Sequence, residues 1–223
     1  TTDIRRSVQR LTFPRGEIEV AFDSGWLTAG DMREPVREVE LELKSGDPSA
    51  LFDLGSSLVT ALPARLGMLS KSERGMRLIA AGRMDRRRVA SPVQPHHTLD
   101  DMIGAIIGTC IGQFTVNWPD FEASDGPEPV HQMRVAMRRL RAALSLFHRA
   151  IPSNRFGALR EDAKRIASSM GEARNWDVFH DLVRDGPQAA FPLEPGFDAL
   201  LAAAANHRTL GYDTVTALLD DVQ

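Results

Sequence analysis

The sequence predicts an α+β chain, in which a partial antiparallel β tunnel or barrel is followed by an all-α helical bundle. Three observations predict it. Residues 1–44 alternate charged and aliphatic side chains with period two, and from about residue 98 onward the apolar residues fall at helical spacing. Between them lies GRMDRRRVASPVQPHH, rich in arginine and proline, which reads as a linker. The expected boundaries are 1–82, a linker at 83–97, and 98–223. A chain of 223 residues has room for two such units, each with its own core.

Residues 1–12 have strand character. In GEIEVAFDSG, Glu17, Glu19 and Asp23 alternate with Ile18, Val20 and Phe22; in REVELELKSG, Glu38, Glu40, Glu42 and Lys44 alternate with Val39, Leu41 and Leu43. Turn signals at Ser24-Gly25, Gly30-Asp31 and Pro35 predict an antiparallel pair. SGDPSALFDLGSSLVTALP predicts a helix capped by Asp47 or Ser45, with Pro48 in its first turn, a stripe of Leu51, Leu54, Leu58 and Leu62, and a stop at Pro63. SKSERGMRLIAAG, 70–82, is expected to be one more strand, ending at Gly82.

The second unit opens with HTLDDMIGAIIGTCIGQFTVNW, capped by Thr98 with Asp101 three residues on. Pro119 and SDGPEP are expected to break it. VHQMRVAMRRLRAALSLF follows, ended by Pro152, then a helix over 155–171, then ARNWDVFHDLV, then an alanine-rich helix near 197–221. Short connections predict an up-down bundle.

Composition excludes some classes. No uninterrupted apolar run approaches the roughly 20 residues of a membrane span, so no membrane partner is expected. One cysteine, Cys110, excludes an intramolecular disulfide framework and a cysteine-based zinc site, and a reducing cytoplasm fits it. The Thr-Thr start and LLDDVQ end lead to the expectation that the chain is a piece of a longer protein.

Two features point to chemistry. The first is the basic helix. At roughly 100° per residue, His131, Arg134, Arg138 and Arg141 fall within a sector about 80° wide, and Ser145 and His148 extend it. Met133, Leu140, Leu144 and Phe147 form the core stripe on one flank. From 129 to 160 there are seven arginines, two histidines and no acid, in a chain of net charge −3. A solvated face normally mixes both signs. Like charges in a row are best tolerated when an external anion completes the site. The guanidinium fork matches phosphate oxygens two at a time. A plain amphipathic surface helix is the competing reading. Nucleic acid comes next, disfavoured by a pI near 6.1 and the absence of aromatic stacking motifs.

The second feature is the acidic strands. Glutamates along one face repel unless something neutralises them; a solvent-exposed sheet face is the plainer reading. Carboxylate oxygens are what hard divalent cations prefer, and Mg²⁺ is commonly shared between carboxylates and phosphates. Arg6, Arg10, Lys44, Lys71 and Arg74 are the nearby bases that could hold phosphate.

VHQMRVAMRRLRAALSLF, with GEARNWDVF about 25 residues later, resembles the start of a CHAD domain, the conserved-histidine α-helical domain. Its pattern is VHxxRVxxRRLRAxLxLF followed by LGxxRDxDVF, with Met170-Gly171 and Asn175-Trp176 as small departures here. The resemblance implies a helical domain of two four-helix halves, of which this chain carries the first, and polyphosphate held in a basic channel. By position, His131, Arg134, Arg138 and Arg141 would line the phosphate path, with Lys164, Arg165, His207 and Arg208 as weaker candidates. Arg174 and Asp177 are expected to pair structurally, and His180 to be a packed or surface histidine.

TTDIRRSVQRL, EIEVAFDSG, REPVREVELELKSGDPSALFDL and SKSERGMRL resemble the C-terminal part of a CYTH domain, a triphosphate tunnel metalloenzyme. Followed by a CHAD domain, they look like the bacterial inorganic triphosphatases of the CYTH–CHAD type. The resemblance implies hydrolysis of inorganic triphosphate with Mg²⁺ or Mn²⁺, in the cytoplasm and in association with polyphosphate granules. Glu38, Glu40 and Glu42 would ligate or support the metal, Glu17 and Glu19 would add a second acidic wall, and Arg6, Lys44 and Lys71 would neutralise the phosphoryl group. The resemblance also implies an N-terminal ExExK strand ahead of these stretches, with which this sequence does not open, so the chain alone is expected to lack the complete active site. A polyphosphate-binding module without catalysis is the alternative.

Overall fold

The computed structural model describes residues 1–79, 93–124, 126–151 and 154–220. They form two compact units that divide near residue 85. Most of the expected linker, the expected strand end at Gly82 and the expected helix stop at Pro152 lie outside the described residues.

The first unit is a three-stranded antiparallel open sheet of order β1-β2-β3, with β1 at Thr2–Phe13, β2 at Gly16–Ala29 and β3 at Met32–Gly46. Two-residue connections, Pro14-Arg15 and Gly30-Asp31, join the strands. Gly30 takes φ +60°, the left-handed conformation that a tight hairpin turn demands. Ser24-Gly25 is not a turn. Gly25 sits mid-sheet between Ile4 and Val36, where a Cβ would run into the Asp3 carbonyl oxygen. Pro35 is likewise inside β3, opposite Trp26.

Helix α1, Ser49–Ala61, covers the aliphatic face: Ala50, Leu51 and Leu54 pack with Ile18, Val20, Leu41 and Leu43. Pro48 is its N-cap residue, and the Asp47 carboxylate accepts a hydrogen bond from the Ser49 N–H at 2.8 Å.

The stretch expected as a strand at 70–82 is instead helix α2, Lys71–Ile79. A reciprocal cap starts it: the Ser70 N–H donates to Glu73 Oε2 at 2.9 Å, and the Glu73 N–H donates to Ser70 Oγ at 3.2 Å. None of its residues is fully buried.

The second unit is helical: α3 at Leu99–Ala123, α4 at Pro127–Ala150, α5 at Asn154–Val183 and α6 at Gly196–Asp220. Its core takes Cys110, Phe114, Trp118 and Phe121 from α3, and Met133, Leu140 and Leu144 from α4. The small residues Ala163, Ala167 and Ala173 of α5 complete it with Val215 of α6. Thr98 and Asp101 form the expected capping box.

Helix α3 runs through Pro119. The proline removes one backbone N–H, while Trp118 and Phe121 on either side of it are buried in the core and hold the turn. By length and composition α3 could cross a membrane, although here its apolar stripe packs on α4. The two helices expected after Pro152 are one, α5, followed by a single π-helical turn at Arg184–Gln188.

Candidate functional site

Strand register brings acids and bases together on the face opposite α1. Arg6 on β1 stands beside Asp23 on β2, and Asp23 beside Glu38 on β3, with Glu40 two residues further along. Ligand oxygens of Asp23, Glu38 and Glu40 lie within 4.8 Å of one another. The Asp23 side chain is completely buried. Arg6 grips it with two hydrogen bonds, 2.8 Å from Nε and 2.6 Å from an Nη, and the same Nη reaches Glu40 at 2.6 Å.

From α2, Lys71 Nζ contacts Asp23 at 2.7 Å and Glu40 at 2.6 Å, and also touches Glu38. Arg74, one turn on, bonds Glu34 at 2.6 Å, Glu38 at 3.0 Å and the Pro35 carbonyl at 2.9 Å. The Arg6 hydrogen bond, reinforced by Lys71, holds the Asp23 carboxyl down at about 2 against the cost of burial. Lys71 likewise lowers Glu40. Burial disfavours the Lys71 charge, yet its hydrogen bonds to Asp23, Glu38 and Glu40 outweigh that and raise its pKa.

The remaining acids form a second group along the same face. Lys44 Nζ lies 3.2 Å from Glu19 and 3.0 Å from Glu42, and Arg10 pairs with Glu19 at 3.2 Å and Glu17 at 3.5 Å. The Lys44 ammonium, with Arg10 beside it, holds the Glu19 carboxyl below the usual carboxylate range. Glu19 lies four residues from Asp23 on β2, about 13 Å at strand rise. The expected site is therefore two clusters. Glu38, Glu40, Arg6 and Lys71 meet in one; Glu17, Glu19, Glu42 and Lys44 meet in the other.

Sequence reasoning left out Asp23 and Glu34 as candidate ligands. Asp23 shares the parity of Glu17 and Glu19, the signal that could have found it; its partners Arg6 and Lys71 come from other elements. The chemistry of the trio suits a hard cation, since it offers carboxylate oxygens only, and the Lys71 ammonium already stands among them as a cationic stand-in.

In the helical unit, Arg138 and Arg141 are exposed on α4, and neither they nor Arg134 pair with a carboxylate among the described residues. His131 Nδ1 and Arg134 Nε are buried without a hydrogen-bond partner there. Gly171 of α5 makes the room for Arg134: a Cβ on it would stand 3.3 Å from Nε. Arg139 is separate, donating to Gln113 Oε1 at 3.1 Å, and Gln113 in turn donates to Gln132 at 2.9 Å.

The weaker candidates are engaged elsewhere. Lys164 pairs with Glu161 at 3.5 Å and Arg165 with Asp162 at 3.8 Å, each three residues back on α5. Arg208 Nε donates to the buried Asp177 at 2.7 Å, and the Tyr212 hydroxyl donates to the same carboxylate at 3.1 Å. Burial, with Asp177 beside it, pushes Tyr212 up to about 12. Arg174 is 3.7 Å from Asp177. His207 stacks on Trp176, with ring centroids 4.4 Å apart. His180 is half-buried beside Asp181.

Residues 105–223, more than half of the chain, match the CHAD domain family, and the chain belongs to that family. It is also similar to an inorganic triphosphatase of Haemophilus influenzae, 39% identical over 75 residues, or 34% of this chain and 21% of that protein. The match thus spans about a fifth of that relative's length. Together with the acid-faced sheet ahead of the helical unit, these findings support a CYTH–CHAD organisation.

Proposed function

We propose that this chain belongs to a metal-dependent hydrolase of inorganic triphosphate, with the CHAD domain appended as a polyphosphate-binding module. The observation that carries the reading is the convergence of Asp23, Glu38 and Glu40 with Arg6 and Lys71 on one sheet face. The similarity to an inorganic triphosphatase points the same way.

The trio would hold Mg²⁺ or Mn²⁺, which when bound supplies charge neutralisation to a phosphoryl group. Arg6 and Lys71 would hold phosphate oxygens beside the trio, and Lys44, with Glu17, Glu19 and Glu42, would continue the charged face away from it. Fixed charges of this kind act by positioning and electrostatic stabilisation, which dominate phosphoryl transfer. On α4, His131, Arg134, Arg138 and Arg141 would track successive phosphates of a longer chain. Lys164, Arg165, His207 and Arg208 have partners of their own and would contribute less.

The test is phosphate release from tripolyphosphate by the full-length protein with Mg²⁺ or Mn²⁺, compared with its Glu38→Gln/Glu40→Gln variant. Loss of turnover on substitution and on chelation is expected; turnover unaffected by both would refute the metal reading. One observation favours the alternative, polyphosphate binding without catalysis: Lys71 already neutralises the trio. That alternative predicts filter retention of polyphosphate with no hydrolysis.

A further inference from the structure

The Lys71 ammonium touches all three carboxylates whose oxygens come within 4.8 Å of one another. A cation is therefore already seated where a metal ion would sit. The group is close to balanced without any added ion: Asp23, Glu34, Glu38 and Glu40 face Arg6, Lys71 and Arg74. A divalent cation entering the trio would stand a few ångströms from the ammonium. That repulsion is large in a partly desolvated setting, so the two cannot share the site.

Two basic side chains of the helix carrying Lys71 reach the sheet. The described part of α2 is nine residues, Lys71–Ile79. Its Met76 and Ile79 side chains are exposed, and no residue of it is buried. Lys71 lies in its first turn, where the helix dipole disfavours positive charge. Lys71 on the trio and Arg74 on Glu34, Glu38 and the Pro35 carbonyl hold the start of α2 to the sheet.

Resting on the metal reading above, we propose that Lys71 is a built-in counter-ion for the trio. A divalent cation entering the trio expels it and releases α2 from the sheet. Metal binding and α2 docking are then one linked equilibrium. Each weakens the other by the same factor, which for couplings of this type is roughly 5- to 150-fold. The ammonium set loose becomes available to an incoming phosphate, so α2 would also report the loading of the trio.

The experiment uses the full 223-residue chain, with Mn²⁺ binding read by electron paramagnetic resonance and protection of the 71–79 amides by hydrogen exchange. Mn²⁺ should deprotect α2 in the wild type. Lys71→Met should bind Mn²⁺ about tenfold more tightly, and Glu38→Gln/Glu40→Gln should abolish both effects. Equal or weaker Mn²⁺ affinity in Lys71→Met, or α2 protection unmoved by bound Mn²⁺, overturns the inference and leaves the metal reading standing. No Mn²⁺ bound by either form overturns both. Should Lys71→Met fold poorly, the exchange measurement on the wild type alone still decides.

Discussion

Asp23 shows how much one side chain can depend on its neighbours. It is 2% exposed, and its carboxylate stays ionised because Arg6 and Lys71 both donate to it. Its folded pKa, about 2, lies below the unfolded value near 3.9. The native state therefore binds fewer protons, and the stabilisation is present above the unfolded value and lost as pH falls toward 2. Asp23→Asn should destabilise the sheet unit at pH 7 by on the order of 1 kcal/mol, discounted because Arg6 is half-exposed. The gap from wild type should shrink by pH 3; urea titrations at the two pH values measure it. On α4, replacing Arg134, Arg138 and Arg141 with Ala should abolish polyphosphate retention on filters while helicity by circular dichroism stays unchanged. The core stripe of Met133, Leu140 and Leu144 is untouched by that change.

At the level of elements, the α5–α6 seam is set by closeness. A Cβ on Gly211 would lie 2.9 Å from Ala173 Cα, a backbone atom that cannot yield. Gly211→Ala should lower stability by about 1–3 kcal/mol. Gly108→Ala on α3, with nothing within 4 Å of the added carbon, should raise it by about 0.5–1 kcal/mol. Thermal melts of the two variants should move in opposite directions.

Period two and the Gly30-Asp31 turn made β2 and β3 legible in the sequence, and the Thr98-to-Asp101 spacing placed the start of α3. Helix α2 was misread because MRLI suits a strand, although the Ser70-to-Glu73 spacing carried the opposite signal. Its docking depends on Lys71 and Arg74 meeting acids more than 30 residues away, which local pattern does not encode. Pro119 looked like punctuation; tertiary burial around it overrode that signal.

For the whole molecule, each unit has its own core, and the proposed ligands differ. Ligand binding should then stabilise the units separately. Calorimetry should resolve two transitions: one raised by Mg²⁺ or Mn²⁺ added alone, the other raised by polyphosphate added without metal. At a hundredfold excess over Kd, each shift corresponds to about 2.7 kcal/mol by mass action. Glu38→Gln/Glu40→Gln should remove the first response and leave the second intact; a single merged transition answering to both ligands would contradict this separation.

Cys110 makes the second of those transitions visible by chemistry alone. It is the chain's single cysteine, it faces the α3–α4 core, and burial pushes its thiol pKa up. A buried, protonated thiol is nearly inert to disulfide reagents, so labelling must wait for the bundle to open. The protein thus carries its own clock. The rate at which one thiol equivalent appears in a colorimetric assay counts openings of the helical unit and ignores the sheet entirely. Polyphosphate should slow that clock, and Mn²⁺ should leave its rate unchanged.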